Sequence, residues 1–241
     1  MGGSDFLNEP RNPRLARYIL RLTQKRWPRI CFVPTAAGDS AVNIRRFQQI
    51  IKKYPCRTSV LSLFWPDGRD LNKYLLAQDV IYVGGGNTAN MLAIWRLHGV
   101  DKALRRAWDN GVILCGVSAG MMCWFESGVT DSFGPVRALN DGLAFLSGSA
   151  CPHFDRQPLR RPTYHRLIGD QTLPAGVAAD DGAAIHYVDR KILRCVASRP
   201  NARAYCVYRR DGHVLEEPLP TIYLPRDGKL QAGCNCWRAC S

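Results

Sequence analysis

The chain has 241 residues, of which 46% are hydrophobic and 22% charged, which suits one globular domain with a sizeable core. No apolar run reaches the ~20 residues needed to span a bilayer, so a membrane-spanning protein is not expected. The formal net charge of +13 raises nucleic-acid binding. However, the excess is spread over Arg11 to Arg29, Arg45 to Lys53, Lys102 to Arg106 and Arg156 to Arg166 with no nucleic-acid motif, and reads mostly as solvated surface.

Met1-Gly2-Gly3-Ser4-Asp5 lacks the basic and apolar regions of a secretory signal, so a cytoplasmic location is the expectation. Pro28 to Val33 predicts a buried strand ended by Pro34. Ser40 then caps a helix whose Val42, Ile44, Phe47, Ile50 and Ile51 fall largely on one face. Ser59 to Phe64 reads as a second strand, Leu71 to Leu76 as a short helix and Val80 to Val83 as a third strand. A glycine turn follows, then a helix carrying Met91, Leu92, Ile94 and Trp95, and another that Asp101 can cap and that runs to Trp108. Val112 to Cys115 is the next apolar strand. After about Gly148 the pattern changes to shorter strands with Pro- and Arg-rich loops, including a hairpin from Tyr205 to Val214 around Asp211-Gly212. Strands separated by helices predict a mostly parallel sheet covered on both faces, in a single domain over residues 1–241.

Several of the scattered cysteines (Cys31, Cys56, Cys115, Cys123, Cys151, Cys195, Cys206) lie in apolar runs, where cysteine behaves as a small hydrophobe. Cys234, Cys236 and Cys240 crowd the end, without the companion spacing of a zinc site, and read as a frayed tail. Neither a disulfide scaffold nor a metal or organic cofactor is expected.

The most informative stretch is Gly116-Val117-Ser118-Ala119-Gly120. An apolar strand enters it and a helix-compatible run leaves it, the context of a nucleophile elbow. Such a turn pushes the serine hydroxyl out at a strand end. It also leaves the N–H of Ala119 at a helix start, free to hold an oxyanion. The bland alternative is a small-residue turn that packs a helix on a sheet. Gly84-Gly85-Gly86-Asn87-Thr88-Ala89 admits three readings: a dinucleotide fingerprint without its closing acid, an oxyanion loop formed by Gly85 or Gly86, or a plain tight turn.

A serine nucleophile needs a base. His98 lies between helices, His165 in an exposed helix and His213 in a hairpin, which leaves His153 and His186 open, with His153 in a loop able to approach a sheet edge. Asp180-Asp181-Gly182, just before an apolar run, can supply the acid that orients an imidazole.

Four segments in order carry a resemblance: Tyr82-Val83-Gly84-Gly85-Gly86-Asn87-Thr88, Gly116-Val117-Ser118-Ala119-Gly120, Cys151-Pro152-His153-Phe154 and Ala179-Asp180-Asp181-Gly182-Ala183-Ala184-Ile185. The chain resembles the S51 serine peptidases, the peptidase E or α-aspartyl dipeptidase group, from roughly residue 8 to residue 224. Trp124 to Ser132 and Arg160-Arg161-Pro162 are similar to the peptidase E-like branch rather than to cyanophycinase. The resemblance implies a flavodoxin-like α/β fold related to class I glutamine amidotransferases. It implies Ser118 as nucleophile, His153 as general base and then acid, and Asp181 where the family has glutamate, with Asp180 and Asp131 as alternatives. It further implies an oxyanion hole from Ala119 and the Gly85 or Gly86 turn, and Arg160 and Arg161 facing the carboxylate of an Asp-X dipeptide. The implied partner is a short peptide, with neither nucleic acid nor membrane, in a monomer or homodimer. The chain departs from the family at both ends: an apolar first strand near the sheet centre is absent ahead of Gly2-Gly3-Ser4-Asp5-Phe6, and residues 225–241 form an unmatched Cys-rich tail.

Overall fold

In the computed structural model, residues 1–3 and 9–230 are described. The first half contains helix α1 (Arg14–Leu22), strand β1 (Arg29–Val33), α2 (Ala41–Ile51), β2 (Arg57–Val60), α3 (Leu71–Leu76), β3 (Val80–Val83), α4 (Thr88–His98), α5 (Val100–Asp109), β4 (Ile113–Gly116) and α6 (Ala119–Met122). These strands form a four-stranded parallel sheet in the order β2-β1-β3-β4. Every residue of β3 is buried, as a parallel strand covered on both faces requires. Ser40, Asp70 and Asn87 cap α2, α3 and α4 by accepting backbone N–H bonds from their first turns.

Two local expectations shift. Asp101 is not a cap: Gly99, in the left-handed region, closes α4 and opens α5, and Asp101 sits in the first turn of α5. The strand predicted from Ser59 to Phe64 ends at Val60 instead. Beyond it, the Ser62 hydroxyl and the Leu63 and Phe64 N–H groups all donate to Asp39 Oδ2, at 2.7, 2.6 and 2.9 Å. One carboxylate therefore draws the segment out of the ladder.

The second half adds β5 (Phe125–Thr130), β6 (Arg137–Leu139), β7 (Leu146–Cys151), α7 (Arg160–Gly169), β8 (Gly176–Ala179), β9 (Ala183–Val188), β10 (Lys191–Ala197), β11 (Ala204–Arg210), β12 (His213–Leu219) and β13 (Thr221–Tyr223). A six-stranded mixed sheet runs β12-β11-β8-β7-β5-β6, and a three-stranded sheet runs β13-β10-β9. Arg160 and Arg161 open helix α7 rather than standing in a loop. Pro162 fits the first turn of that helix, where its missing N–H costs nothing. Tyr164, Leu167 and Ile168 then bury the α7 face in a cluster with Cys151, Ala178 and Val207. The whole is a flavodoxin-like α/β arrangement divided among three sheets, with an interruption between β4 and β9.

Met1–Gly3 enters that interruption. The Met1 ammonium donates to Gly116 O at 3.0 Å, and Ser118 N donates to Met1 O at 3.1 Å. On the other side, Gly2 N donates to Ala183 O at 3.0 Å and Gly182 N to Gly3 O at 2.8 Å. The remainder of Gly2-Gly3-Ser4-Asp5-Phe6 and the tail with Cys234, Cys236 and Cys240 lie outside the described residues. Cys31, Cys56, Cys115, Cys123, Cys151 and Cys195 are free thiols, and burial raises Cys31 and Cys56 to about 11, in keeping with cysteine as an inert hydrophobe. Cys206 is disulfide-bonded.

Candidate active site

Strands β4, β7 and β8 deliver their carboxyl ends to one place, the crevice position where open α/β sheets bind ligands. Ser118 follows β4 with φ 57° and ψ −110°, a backbone conformation rare for a non-glycine residue. Close packing enforces it. A Cβ on Gly116 would lie 2.4 Å from Gly120 O, and one on Gly120 would lie 2.4 Å from Val83 O, so the two glycines let the turn press against its own helix and against β3. Met121 N and Met122 N then donate to Ser118 O at 2.9 and 3.0 Å, starting α6 directly after the serine.

His153 arrives just after β7, also with positive φ (57°). Its position is fixed by Phe154 N donating to Ala179 O at 3.2 Å and by the Phe154 ring, packed against Tyr164 and Tyr205. Asp181 follows β8, and its own N–H donates to Asp155 Oδ1 at 2.7 Å. The three side chains form a line. His153 Nε2 is 2.8 Å from Ser118 Oγ, and His153 Nδ1 is 2.7 Å from Asp181 Oδ1. The His153 and Asp181 side chains are only 19% and 10% exposed, which shields the pair from water. The shorter aspartate reaches the imidazole because β8 ends close beside β7, its parallel neighbour.

Gly85 backs onto the serine: a Cβ there would sit 3.3 Å from Ser118 Cβ. Gly86, at φ 141°, lies against Ala36 O. Among the described residues, the N–H groups of Gly85, Gly86 and Ala119 enter no backbone hydrogen bond between elements.

The remaining predicted residues are placed elsewhere. Asp180 Oδ2 accepts from Arg203 N at 2.9 Å and from the Tyr205 hydroxyl at 3.4 Å, and burial raises its pKa. Asp131 pairs with Arg160 Nη2 at 3.2 Å. Neither bonds His153. Arg160 is 3% exposed, and its guanidinium also donates to Gln157 Oε1 at 2.6 Å and to Val129 O. Arg161 stacks over Phe154 and Tyr205, 4.4 and 5.2 Å from the ring centroids, with Glu216 3.6 Å from its Nε.

Two neighbours were missed in the sequence. Asp155 holds the Asp181 backbone, and Arg156 Nε lies 4.0 Å from Asp181 Oδ2. Their signal was adjacency to His153 in Phe154-Asp155-Arg156. Of the other histidines, His186 bonds the Tyr18 hydroxyl at 2.7 Å and His165 bonds Glu216 at 2.7 Å. Among the described residues no group of three or more His, Cys, Asp or Glu is arranged to hold a metal, and no helix is long and apolar enough to cross a membrane.

Comparisons with known proteins give the family and the fold. The model of peptidase family S51 matches residues 1–195. The chain is 50% identical over 224 residues to the uncharacterized peptidase YgaJ of Bacillus subtilis (strain 168), covering 93% of this chain and 97% of that one. The crystal structure of a peptidase from an acI-B1 actinobacterium shares the fold, with a TM-score of 0.66 at 17% identity over 91% of this chain and 92% of that one. With most of its length matched by the family model and half its residues shared with a named peptidase, the chain belongs to peptidase family S51.

Proposed function

We propose that this peptidase is a cytoplasmic serine-type dipeptidase that hydrolyses Asp-X dipeptides through an acyl-enzyme on Ser118. The observation that carries the reading is the unbroken relay Ser118–His153–Asp181, at 2.8 and 2.7 Å, behind a serine held in a strained elbow. In this reading His153 takes the serine proton as the hydroxyl attacks the scissile carbonyl. Asp181 holds the imidazole in the tautomer that presents Nε2 and stabilises the imidazolium. The N–H groups of Ala119 and of Gly85 or Gly86 receive the oxyanion. His153 then protonates the leaving amine, and water, activated by the same imidazole, releases the acyl group.

Acidic specificity is supported by the cations around His153. Arg160 and Arg161 open α7 beside Phe154, and the exposed Arg156 adds a guanidinium next to Asp181. Arg160 already holds Asp131, so a substrate carboxylate would compete with that pair. The test is hydrolysis of Asp-Leu beside Glu-Leu, Ala-Leu and N-blocked Asp-Leu. Selective cleavage of free Asp-Leu supports the proposal. Equal cleavage of Ala-Leu keeps the serine chemistry and removes the acidic specificity. No cleavage of any peptide by folded protein points to a family member that binds without turnover.

A further inference from the structure

Residues 11–57 hold twelve Lys and Arg against one acid, Asp39, and so carry +11 of the net charge of +13. Asp39 is buried beyond the carboxyl end of β1 and is occupied by Ser62, Leu63 and Phe64. The fold gathers the cations on one surface. Leu15 and Ile19 of α1 and Phe47 and Ile51 of α2 share a cluster with Phe32 and Tyr82, so both helices cover the same face of the four-stranded sheet. With their apolar sides inward, the helices turn Arg17 and Arg21, and Arg45 and Arg46, to solvent.

Helix α1 leads into the start of β1 and α2 into the start of β2, so their carboxyl ends meet the amino ends of these strands. There Lys25, Arg26 and Arg29 stand beside Lys52, Lys53 and Arg57, all exposed. Arg29 and Arg57 are register partners on adjacent parallel strands, and like charges so placed repel. Among the described residues, Lys25 alone of the twelve cations pairs with a carboxylate, that of Asp79. Arg17 and Arg21 donate instead to the backbone carbonyls of Arg226 and Asp227, each at 2.9 Å, which fixes these side chains without neutralising them. The macrodipole favours a cation at a helix carboxyl end, which accounts for Arg21 and Lys52. It does not account for Arg29 and Arg57, which open strands.

Trp27 stands between Arg26 and Arg29 and is 54% exposed. An indole in water among guanidinium groups offers a face on which a base can stack, with cations beside it for the flanking phosphates. A bilayer surface would call for several apolar side chains here. Within residues 11–57 the other large exposed apolar side chain is Val42, in the first turn of α2 and so at the opposite end of the sheet. A duplex keeps its bases stacked on one another and leaves Trp27 nothing to cover.

We propose that the surface formed by α1, α2 and the starts of β1 and β2 binds single-stranded nucleic acid, with Arg29, Lys53 and Arg57 on phosphates and Trp27 stacked on a base. Ser118 lies at the opposite, carboxyl end of the parallel strands, so the surface is separate from the candidate active site and its test does not depend on the peptidase reading.

The experiment titrates the full chain into a fluorescein-labelled oligouridylate of about 20 nucleotides and follows anisotropy at several salt concentrations. With about six phosphates engaged, log K should fall with log salt at a slope of about −4, a loss of about 250-fold between about 50 and about 200 mM. The triple variant Arg29→Gln, Lys53→Gln, Arg57→Gln should weaken binding about tenfold or more and reduce the slope by about 2. Trp27→Ala should weaken it about tenfold at unchanged slope. A control triple variant, Arg190→Gln, Arg209→Gln, Arg210→Gln, removes the same charge from exposed positions elsewhere and should change Kd by less than about threefold. Circular dichroism checks that each variant is folded; if the first triple variant is not, Lys52→Gln with Lys53→Gln, at the exposed end of α2, takes its place. Absence of binding at about 50 mM salt, equal weakening by the test and control variants, or no effect of Trp27→Ala overturns the proposal. So does tighter binding to a duplex of the same length or to phosphatidylserine vesicles.

Discussion

The two ends of the slot between β4 and β9 are held by different physics. At the top, Ser118, His153, Asp181, Asp155 and Met1–Gly3 are linked by directional hydrogen bonds of 2.7 to 3.1 Å, so each group has one place to be. Below, the walls are Leu, Ile, Tyr, Trp and Phe side chains, whose burial is favourable but non-directional. The upper end specifies a geometry, while the lower end specifies only a shape and a polarity. A peptidase needs the first kind of order at its reacting atoms.

The contrast can be broken most sharply from the top. Asp181→Asn should reduce kcat by about 10⁴ while leaving the fold intact, because the amide favours the wrong imidazole tautomer. Steady-state kinetics on Asp-Leu with circular dichroism checks this, and near-normal turnover would release Asp181 from its role. Next, Gly116→Ala should cost about 3 kcal/mol or more, since its Cβ would press on Gly120 O and the elbow has no room to relax. Denaturant unfolding measures this, and a loss below about 0.5 kcal/mol would mean that the elbow is not close-packed.

Substitutions in the lower walls should be milder. Tyr18→Phe removes the hydroxyl that bonds His186 and should cost about 1 kcal/mol of stability with little effect on kcat. A large loss of turnover would show that the lower walls are as exacting as the site.

The smallest effect is a pH dependence. Burial, followed by the Arg194 charge, holds the His186 pKa below its usual value. Because the folded-state pKa is depressed, His186 contributes stability above the unfolded value of about 6.5, and that contribution is lost as pH falls through the folded value. Thermal midpoints from pH 7 to pH 5 should therefore fall less steeply in His186→Phe than in the wild type. Equal slopes would place the acid sensitivity elsewhere.

Much of the upper end was legible because its signals are local. The strand–turn–helix around Ser118 and the turn before β9 are written in short runs of residue type, and the family resemblance aligned His153 with them. From the residues alone, His153 and His186 stayed open. The distinction depends on β7 lying parallel beside β8 and ending next to the elbow, a pairing that no local pattern encodes. The anchoring of Arg160 was illegible for the same reason. Nothing local to Arg160-Arg161-Pro162 says that its helix is anchored by Tyr164 and Leu167 and its guanidinium by Val129 O on β5. The role of Met1–Gly3 was least legible, since the Met1 bond to Gly116 spans 115 residues.

An activated serine at position 118 can be caught by reaction of the folded protein with a fluorophosphonate, read by intact and peptide mass spectrometry. One adduct is expected, on Ser118, formed rapidly in the wild type and strongly slowed in His153→Ala. Absence of an adduct, labelling at another residue, or an unchanged rate in His153→Ala would contradict it.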